Sequence, residues 1–173
     1  MRLGPIDDAF STWKRYRSQA TARDGSSSDL DELEGYMLRS IVLMIVSEYE
    51  DHLEKVFAKR AEKSNDPHMH QFMIKCCRNK FRSPDLGKIR EMLKGFGGEY
   101  DQAFWKVLDQ EKPQIKASWD SLMIARHAIV HKQGGGGVNL TWRDLETAFA
   151  NSQLVIDELV KAIGLTTEEV QEL

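Results

Sequence analysis

Segment 113–131 constrains the fold more than any other part of the chain, because it places apolar side chains on two sides of one helix. A helical wheel advances about 100° per residue, and one face of this segment is apolar within about 80° of Ile115. That face holds Trp119, Leu122, Met123, Ile129 and Val130. Arg126 lies in its middle, about 20° from Ile115. A guanidinium in an apolar face costs free energy unless something pairs with it, which makes Arg126 the first candidate functional residue.

The same helix has a second face of mostly small residues, about 160–220° from Ile115. It holds Ala117, Ile124, Ala128 and His131, and His127 lies between the two faces. A helix that is apolar on two sides usually packs on two sides. We therefore expect one face in the chain's own core, and we interpret the other as a surface for a partner subunit.

Composition and charge set the class of protein. The 173 residues are enough for one domain with a real core, and 41% hydrophobic with 29% charged residues is typical of an ordinary globule. The net charge of −3 requires any nucleic-acid contact to come from a local basic face. The adjacent Cys76 and Cys77 give no disulfide framework, which indicates a reducing compartment. The N-terminus has no apolar signal segment and the longest apolar run, 41–46, is too short to cross a bilayer, so we expect a cytoplasmic protein without membrane contact.

Helical periodicity and break signals predict an all-α fold, a compact helical bundle with long antiparallel helices and short extra helices. We expect an N-terminal helix and linker at 1–28, a helical bundle domain at 29–165 and an acidic tail at 166–173. The run 41–46 is apolar all round, which predicts a turn surrounded by protein. The glycine run 134–137 predicts a break, and Thr141 with Asp144 resembles a capping box that starts the last long helix.

The end of the central helix carries a short pattern: arginine at 126, a polar residue at 127, three further residues and histidine at 131. With a glycine run and one more amphipathic helix after it, the pattern resembles the signature of the HEPN superfamily, small all-helical proteins of which many are ribonucleases. The whole chain resembles the RiboL-PSP/MAE-type HEPN proteins, whose long second helix carries an acidic residue after an apolar run. In this chain Glu48 follows the run 41–46.

The resemblance implies a catalytic cleft shared by two subunits, and a toxin–antitoxin or antiviral defence setting with an antitoxin or regulatory protein as a further partner. Some HEPN proteins carry a tyrosine two residues after the motif histidine, which a partner nucleotidyltransferase modifies. This chain has Gln133 there, which departs from that subgroup.

RNA cleavage by attack of the 2′-hydroxyl requires a base, an acid and a cation, and no metal. Histidine titrates near neutrality and arginine offers a planar fork to a phosphate. We assign His131 as the acid or base and Arg126 as the phosphate ligand, with His127 orienting the substrate or Arg126. Glu48 is either a surface acid or, by resemblance, a partner for Arg126 or a catalytic histidine.

One histidine per subunit is half of an acid–base pair, so a two-fold homodimer is expected to supply the other half. Arg126 and His131 lie about 140° apart on an ideal helix. They act together only across a wide cleft, through a distorted helix end or across the dimer.

A basic stretch between 75 and 90 is the candidate RNA-binding surface, with Phe72 and Phe81 interleaved. Its cations are Lys75, Arg78, Lys80, Arg82, Lys88 and Arg90. The alternative is a solvated face of two ordinary helices.

Three functions remain open. The first is a metal-independent endoribonuclease without a cofactor. The second is a non-catalytic helical module that binds RNA or protein, in which Arg126 and His131 hold the dimer or bind a ligand. The third is a metal-dependent helical enzyme that uses His127 and His131, yet the zincin glutamate is absent. Other donors match no zinc pattern, so we expect no metal; these donors are His68, His70, Cys76 and Cys77.

Overall fold

The computed structural model describes residues 4–21, 27–131 and 140–171. These ranges contain helices and no strand, which confirms the all-α prediction. The helices are α1 (Gly4–Thr21), α2 (Ser27–Glu62), α3 (Pro67–Lys80), α4 (Leu86–Phe96), α5 (Gly98–Lys106), α6 (Pro113–His131), α7 (Trp142–Ala162) and α8 (Thr167–Gln171). A π-helical turn, Val107–Glu111, lies between α5 and α6. The glycine run predicted as a break, 134–137, lies outside the described residues.

Side-chain caps explain where several helices begin. Asp66 accepts hydrogen bonds from two backbone N–H groups of α3, and Pro67 takes the first turn, where its missing N–H costs little. The Asp85 carboxylate accepts from the backbone N–H of Lys88 at the start of α4. Thr141 and Asp144 form the predicted reciprocal capping box at the start of α7. The polar breaks in the sequence therefore act as helix starts.

Helices α2, α6 and α7 form the centre of the bundle. Asn151 donates to Ser118 and Lys112 donates to Glu158, a pairing that requires α6 and α7 to run antiparallel. Tyr49 meets Ser152, while Lys63 further along α2 donates to the Gly164 carbonyl, so α2 and α7 run in the same direction. Consequently α6 also runs opposite to α2.

The three helices meet at a fully buried cluster. The rings of Tyr49 and Trp119 stack with centroids 4.8 Å apart and an interplanar angle of 11°. Tyr49 Oη and Ser152 Oγ are hydrogen bonded at 2.6 Å, and Trp119 Nε1 donates to the Pro84 carbonyl at 2.8 Å. Burial raises the pKa of Tyr49, so its phenol stays neutral. The crossing point is packed and its polar atoms are paired.

The peripheral helices join this core from both ends. Ile6, Phe10 and Trp13 of α1 are buried in the same hydrophobic cluster as the central helices. Helix α8 lies within the predicted acidic tail, and its Glu169 carboxylate pairs with Lys63 at 2.9 Å. The domain boundaries expected at 28 and 166 stay predictions.

The expectation that protein surrounds the turn 41–46 is wrong within the single chain. Leu43 and Met44 are 39% and 38% exposed, whereas Ile41, Val42, Ile45 and Val46 are buried. The reason is geometric: α1, α6 and α7 pack on one side of α2 and leave the opposite side open. No helix in the described ranges is both long enough and apolar enough to cross a membrane.

Candidate functional site

The C-terminal turns of α6 extend past the end of the hydrophobic core. Ile115, Trp119 and Leu122 are fully buried, but Ile129 is only half-buried and Val130 is 48% exposed. The prediction that Val130 belongs to the core face is therefore wrong. The wheel placed it correctly on the inner side of the helix, but the neighbouring helices offer too little apolar surface at that height.

Arg126 lies where the core thins. Its side chain is half-buried on the inner face of α6. Among the described residues, its guanidinium makes no hydrogen bond and no ion pair with any other group. A partly desolvated cation without a protein partner is costly, and an anion from outside would remove that cost.

His127 and His131 lie together on the solvent side of the same helix end. Both are exposed, and their ring centroids are 4.3 Å apart with an interplanar angle of 45°. This contact follows from their spacing of four residues, which places side chains one above the other on a helix.

The helix remains regular through His131, so helix distortion does not bring Arg126 and His131 together. On this helix the two side chains stay about 140° apart. Of the three options stated above, a wide cleft and action across a dimer remain.

Glu48 lies away from both motif residues. It is half-buried, and its backbone carbonyl accepts a hydrogen bond from His52 Nδ1 at 2.9 Å. It precedes Tyr49 at the point where α2 and α6 cross, whereas Arg126 lies seven residues beyond Trp119, about 10 Å along α6. Within the described ranges, no hydrogen bond or ion pair joins Glu48 to Arg126 or His131. The role assigned to Glu48 by resemblance stays a prediction.

No helix of the described ranges covers the second face of α6. Ile124 at its centre is 70% exposed, Ala117 and His131 are exposed, and Ala128 is half-buried. An isoleucine this exposed between small residues is a surface feature of the kind that protein partners cover.

Most of the predicted RNA-binding cations are paired with acids. The pairs are Arg78 with Glu54 at 3.0 Å, Lys80 with Glu91 at 2.8 Å, Lys88 with Asp85 at 3.5 Å and Arg90 with Asp101 at 3.0 Å. The bond from Lys80 lowers the pKa of Glu91, as expected for a carboxylate held beside a cation. Lys75 and Arg82 are exposed, and in the described part of the chain neither side chain has a carboxylate partner.

The part of the basic stretch that lies on α3 is at the other end of the bundle from the motif, whereas the bonds of Ser83 to Glu50 and of Trp119 to the Pro84 carbonyl place the loop after α3 beside the central crossing point. Arg78 pairs with Glu54, and Phe81 stacks on Phe57 with centroids 5.5 Å apart, so α3 covers the C-terminal half of α2. Because α6 runs opposite to α2, Arg126 lies towards the N-terminal half. The structure therefore does not bring the cations of α3 and the motif into one compact site.

The other candidate donors, and two hollows in the described part of the chain, lie apart from the motif. Burial raises the pKa of the Cys77 thiol to about 12, which keeps it protonated and unreactive at neutral pH. In the described ranges no group of three or more His, Cys, Asp or Glu side chains is placed to hold a metal ion. A hollow of about 260 Å³ lies between α1 and α7, and one of about 130 Å³ lies between α2 and α3 beside Arg78. Neither hollow is lined by a motif residue.

An all-helical bundle with an arginine and a histidine five positions apart at the end of a late helix defines a HEPN-type protein. The family model of the RiboL-PSP-HEPN proteins matches residues 14–164 of this chain, and the chain belongs to that family. No curated protein and no solved structure matches it. HEPN domains are often ribonucleases, so membership of the family suggests an RNase-like function.

Proposed function

We propose that this protein is a metal-independent endoribonuclease whose active site lies between two copies of the chain. The observation that carries the proposal is the half-buried Arg126, which has no acid partner in the described part of the chain. It lies in the last turns of α6, on the same helix end as the exposed imidazoles of His127 and His131. A phosphodiester supplies the anion that the guanidinium lacks. The adjacent 2′-hydroxyl gives up a proton and the 5′-ester oxygen takes one, and imidazoles serve both transfers.

The chemistry needs only groups that this helix end carries. The 2′-hydroxyl of the RNA is the nucleophile, so no metal-bound water is required. Histidine acts as base or acid near neutral pH, and the arginine fork stabilises the charge that builds up on the phosphoryl oxygens. Cleavage in this way leaves a 2′,3′-cyclic phosphate and a 5′-hydroxyl.

A homodimer through the second face of α6 completes the site. Ile124 and the small residues around it permit the close approach of a second copy, and a two-fold axis there brings two motif helices side by side. Such a dimer brings two copies of Arg126 and His131 into one shared cleft, so the partner chain supplies the second half of the acid–base pair.

We further propose a cellular setting in which such an activity is restrained. A ribonuclease of this kind in a toxin–antitoxin or antiviral defence system needs an antitoxin or regulatory protein, and it acts in the cytoplasm, where RNA is present. This chain has Gln133 where some HEPN proteins have the tyrosine that is modified, so modification at that position is not what restrains the activity.

A second candidate is a non-catalytic module that binds protein or RNA. The exposed Leu43 and Met44 on α2 and Ile124 on α6 favour it, because such side chains serve docking as well as dimerisation. In that case Arg126 and His131 hold a partner and perform no chemistry.

The experiment that separates these functions is RNA incubation with purified protein in excess EDTA. Arg126→Ala and His131→Ala are compared with wild type, and His68→Ala on the exposed surface of α3 is the matched control. Cleavage by wild type and the control alone, with cyclic phosphate ends, supports the ribonuclease. Absence of cleavage by every form supports the binding module, and cleavage that EDTA abolishes supports a metal-dependent enzyme.

A further inference from the structure

We propose that Arg39 and Tyr36 of α2 bind the RNA nucleotide next to the scissile phosphate: Arg39 pairs with its phosphate, and Tyr36 stacks on its base. This inference rests on the proposed ribonuclease function and deepens it, because it names side chains outside the motif that hold the substrate. Arg39, Tyr36 and His127 belong to one chain, so the subsite requires no residue of a second copy.

The first support is the contrast among the arginines that are half-buried in the described part of the chain. Arg60 donates to a tyrosine hydroxyl at 2.8 Å, and Arg90 pairs with Asp101 at 3.0 Å. Within the described ranges, Arg39 and Arg126 make no hydrogen bond and no ion pair. A half-buried guanidinium without an acid is costly, and a bound phosphate would remove that cost.

The second support is the way in which α2 holds the Arg39 side chain. The guanidinium carbon lies 4.8 Å from the centroid of the Tyr36 ring, and a Cβ added at Gly35 would lie 3.7 Å from a guanidinium nitrogen. The side chain therefore folds back towards the N-terminus of the helix. Tyr36 is 56% exposed, so it offers ring surface to a base while it also contacts the guanidinium.

The third support is that Arg39 lies at the same end of the bundle as the motif. Tyr49 stacks on Trp119 and α6 runs opposite to α2, so the residues before Tyr49 and those after Trp119 extend in one direction. Arg39 precedes Tyr49 by ten residues, or about 15 Å of helix. His127 and His131 follow Trp119 by eight and twelve residues, or about 12 and 18 Å. Their heights along the bundle therefore match that of Arg39 to within about 3 Å.

Arg39 also lies on the side of α2 that faces α6. Glu50 marks that side, because its carboxylate accepts a hydrogen bond from the N–H of Ser83, in the loop whose next carbonyl accepts from Trp119 of α6. Arg39 precedes Glu50 by eleven residues, which places it only about 20° away around the helix. Glu34, which pairs with α1, lies about 140° from Arg39.

His127 faces the same groove from α6. Burial raises the pKa of the Asp120 carboxyl, Lys116 lowers it and Asp85 raises it, so Asp120 lies close to the loop after α3. His127 follows Asp120 by seven residues and lies about 20° from it around α6. Arg39 and His127 therefore line one groove between α2 and α6. Asp85 and Asp120 repel a phosphate at the other end of this groove, which confines the subsite to the end with Arg39.

The first test is the binding of an RNA that cannot be cleaved, a short labelled single strand with a 2′-O-methyl group at every position. Tyr36→Ala is expected to weaken binding about tenfold and Tyr36→Phe less than about twofold, because a phenylalanine ring still stacks. Arg39→Gln is expected to lower the slope of log affinity against log salt by about 0.7. Lys94→Ala, which removes one exposed charge from α4, should leave affinity and slope unchanged. Fluorescence anisotropy measures both, and circular dichroism with unchanged helix content is the folding control.

Two results of this test overturn the subsite. The first is a wild-type protein that does not bind the methylated RNA. The second is equal affinity and equal slope for wild type, Tyr36→Ala and Arg39→Gln, which would leave the exposed Tyr36 and Leu43 to a protein partner.

Cleavage kinetics separate the subsite from the ribonuclease proposal. Arg39→Gln is expected to raise KM about tenfold and to keep kcat within about threefold, since Arg39 binds a nucleotide that does not react, whereas Arg126→Ala should lower kcat. If the wild type binds the methylated RNA through Arg39 but does not cleave RNA in EDTA, the ribonuclease proposal falls and the RNA subsite stands. If the wild type cleaves RNA and Arg39→Gln keeps the wild-type KM, the ribonuclease stands and the subsite is overturned.

Discussion

The two halves of helix α6 differ in how completely the chain itself uses them. In the first half Trp119 is fully buried, stacked on Tyr49 and hydrogen bonded to the Pro84 carbonyl. In the second half Ile124 is 70% exposed, and Arg126 has no acid partner within the described ranges. The first half of the helix is thus fixed in the core, whereas the second half carries an exposed apolar side chain and a cation without an acid partner in the described ranges. The first half serves stability, and the second is free to serve another molecule.

The largest effect on stability is expected in the anchored half. Trp119→Ala removes the centre of the core and leaves the Pro84 carbonyl without its donor, so it should lower the free energy of unfolding by roughly 3–5 kcal/mol. Ile124→Ala in the other half should change it by less than about 0.5 kcal/mol in the monomer. Urea denaturation followed by circular dichroism measures both. Equal losses at the two positions would remove the contrast between the halves.

Arg126→Leu should separate stability from activity. Leucine fits the inner face of α6 and removes a cation that has no acid partner within the described ranges, so the free energy of unfolding is expected to rise by about 1 kcal/mol. RNA cleavage should fall by about 100-fold or more, because the phosphate loses its cation. Denaturation and cleavage assays on the same preparation check both values, and Arg126→Lys tests whether charge without the planar fork suffices. A clear loss of stability in Arg126→Leu would show that the guanidinium serves the fold.

Tyr49 offers a pH test of the anchored half. Burial raises its pKa, so the folded state holds the phenol neutral, while the unfolded state ionises near about pH 10. The stability from this group is therefore complete below that pH and is lost as the pH rises above it. Tyr49→Phe should cost about 1 kcal/mol at neutral pH, since Ser152 keeps its bond to the Phe149 carbonyl. Between about pH 9 and 11 the variant should lose less stability than wild type in urea titrations. Equal losses of stability in the variant and the wild type over this pH range would contradict this role of Tyr49.

The smallest effects concern the cations of α3 and the loop that follows it. Lys75 and Arg82 have no carboxylate partner in the described part of the chain, whereas Lys80 donates to Glu91. If RNA runs along this surface, Lys75→Ala and Arg82→Ala should each reduce the slope of log affinity against log salt by about 0.7–0.9. Lys80→Ala should change this slope less, because Lys80 is already paired with Glu91. Fluorescence anisotropy with a short labelled RNA at several salt concentrations measures these slopes, and equal slopes for all variants would exclude the surface from RNA binding.

Much of the fold could be predicted from the sequence because its signals are local. Asp66 with Pro67, Asp85, and Thr141 with Asp144 cap helices wherever those helices pack, so they mark helix starts without knowledge of the tertiary structure. The position of Arg126 on the inner face of α6 followed from helical periodicity alone.

The parts that could not be predicted depend on which helices meet. Periodicity places Val130 on the inner face but cannot show that the core ends before it. Three of the four acids that neutralise the basic stretch come from other helices, as Glu54 does for Arg78, and no local pattern reveals such pairs. The separation of Glu48 from Arg126 follows from the Tyr49–Trp119 contact, which joins residues far apart in the chain.

The central claim is that the uncovered half of α6 is where two copies of the chain meet. Sedimentation velocity of wild type and Ile124→Glu at micromolar concentration tests it most directly, because a buried pair of glutamates at a two-fold axis repel each other and lose their hydration. We expect a dimer for wild type and a folded monomer for Ile124→Glu. A wild-type protein that sediments as a monomer, or a variant that remains a dimer, would contradict the account.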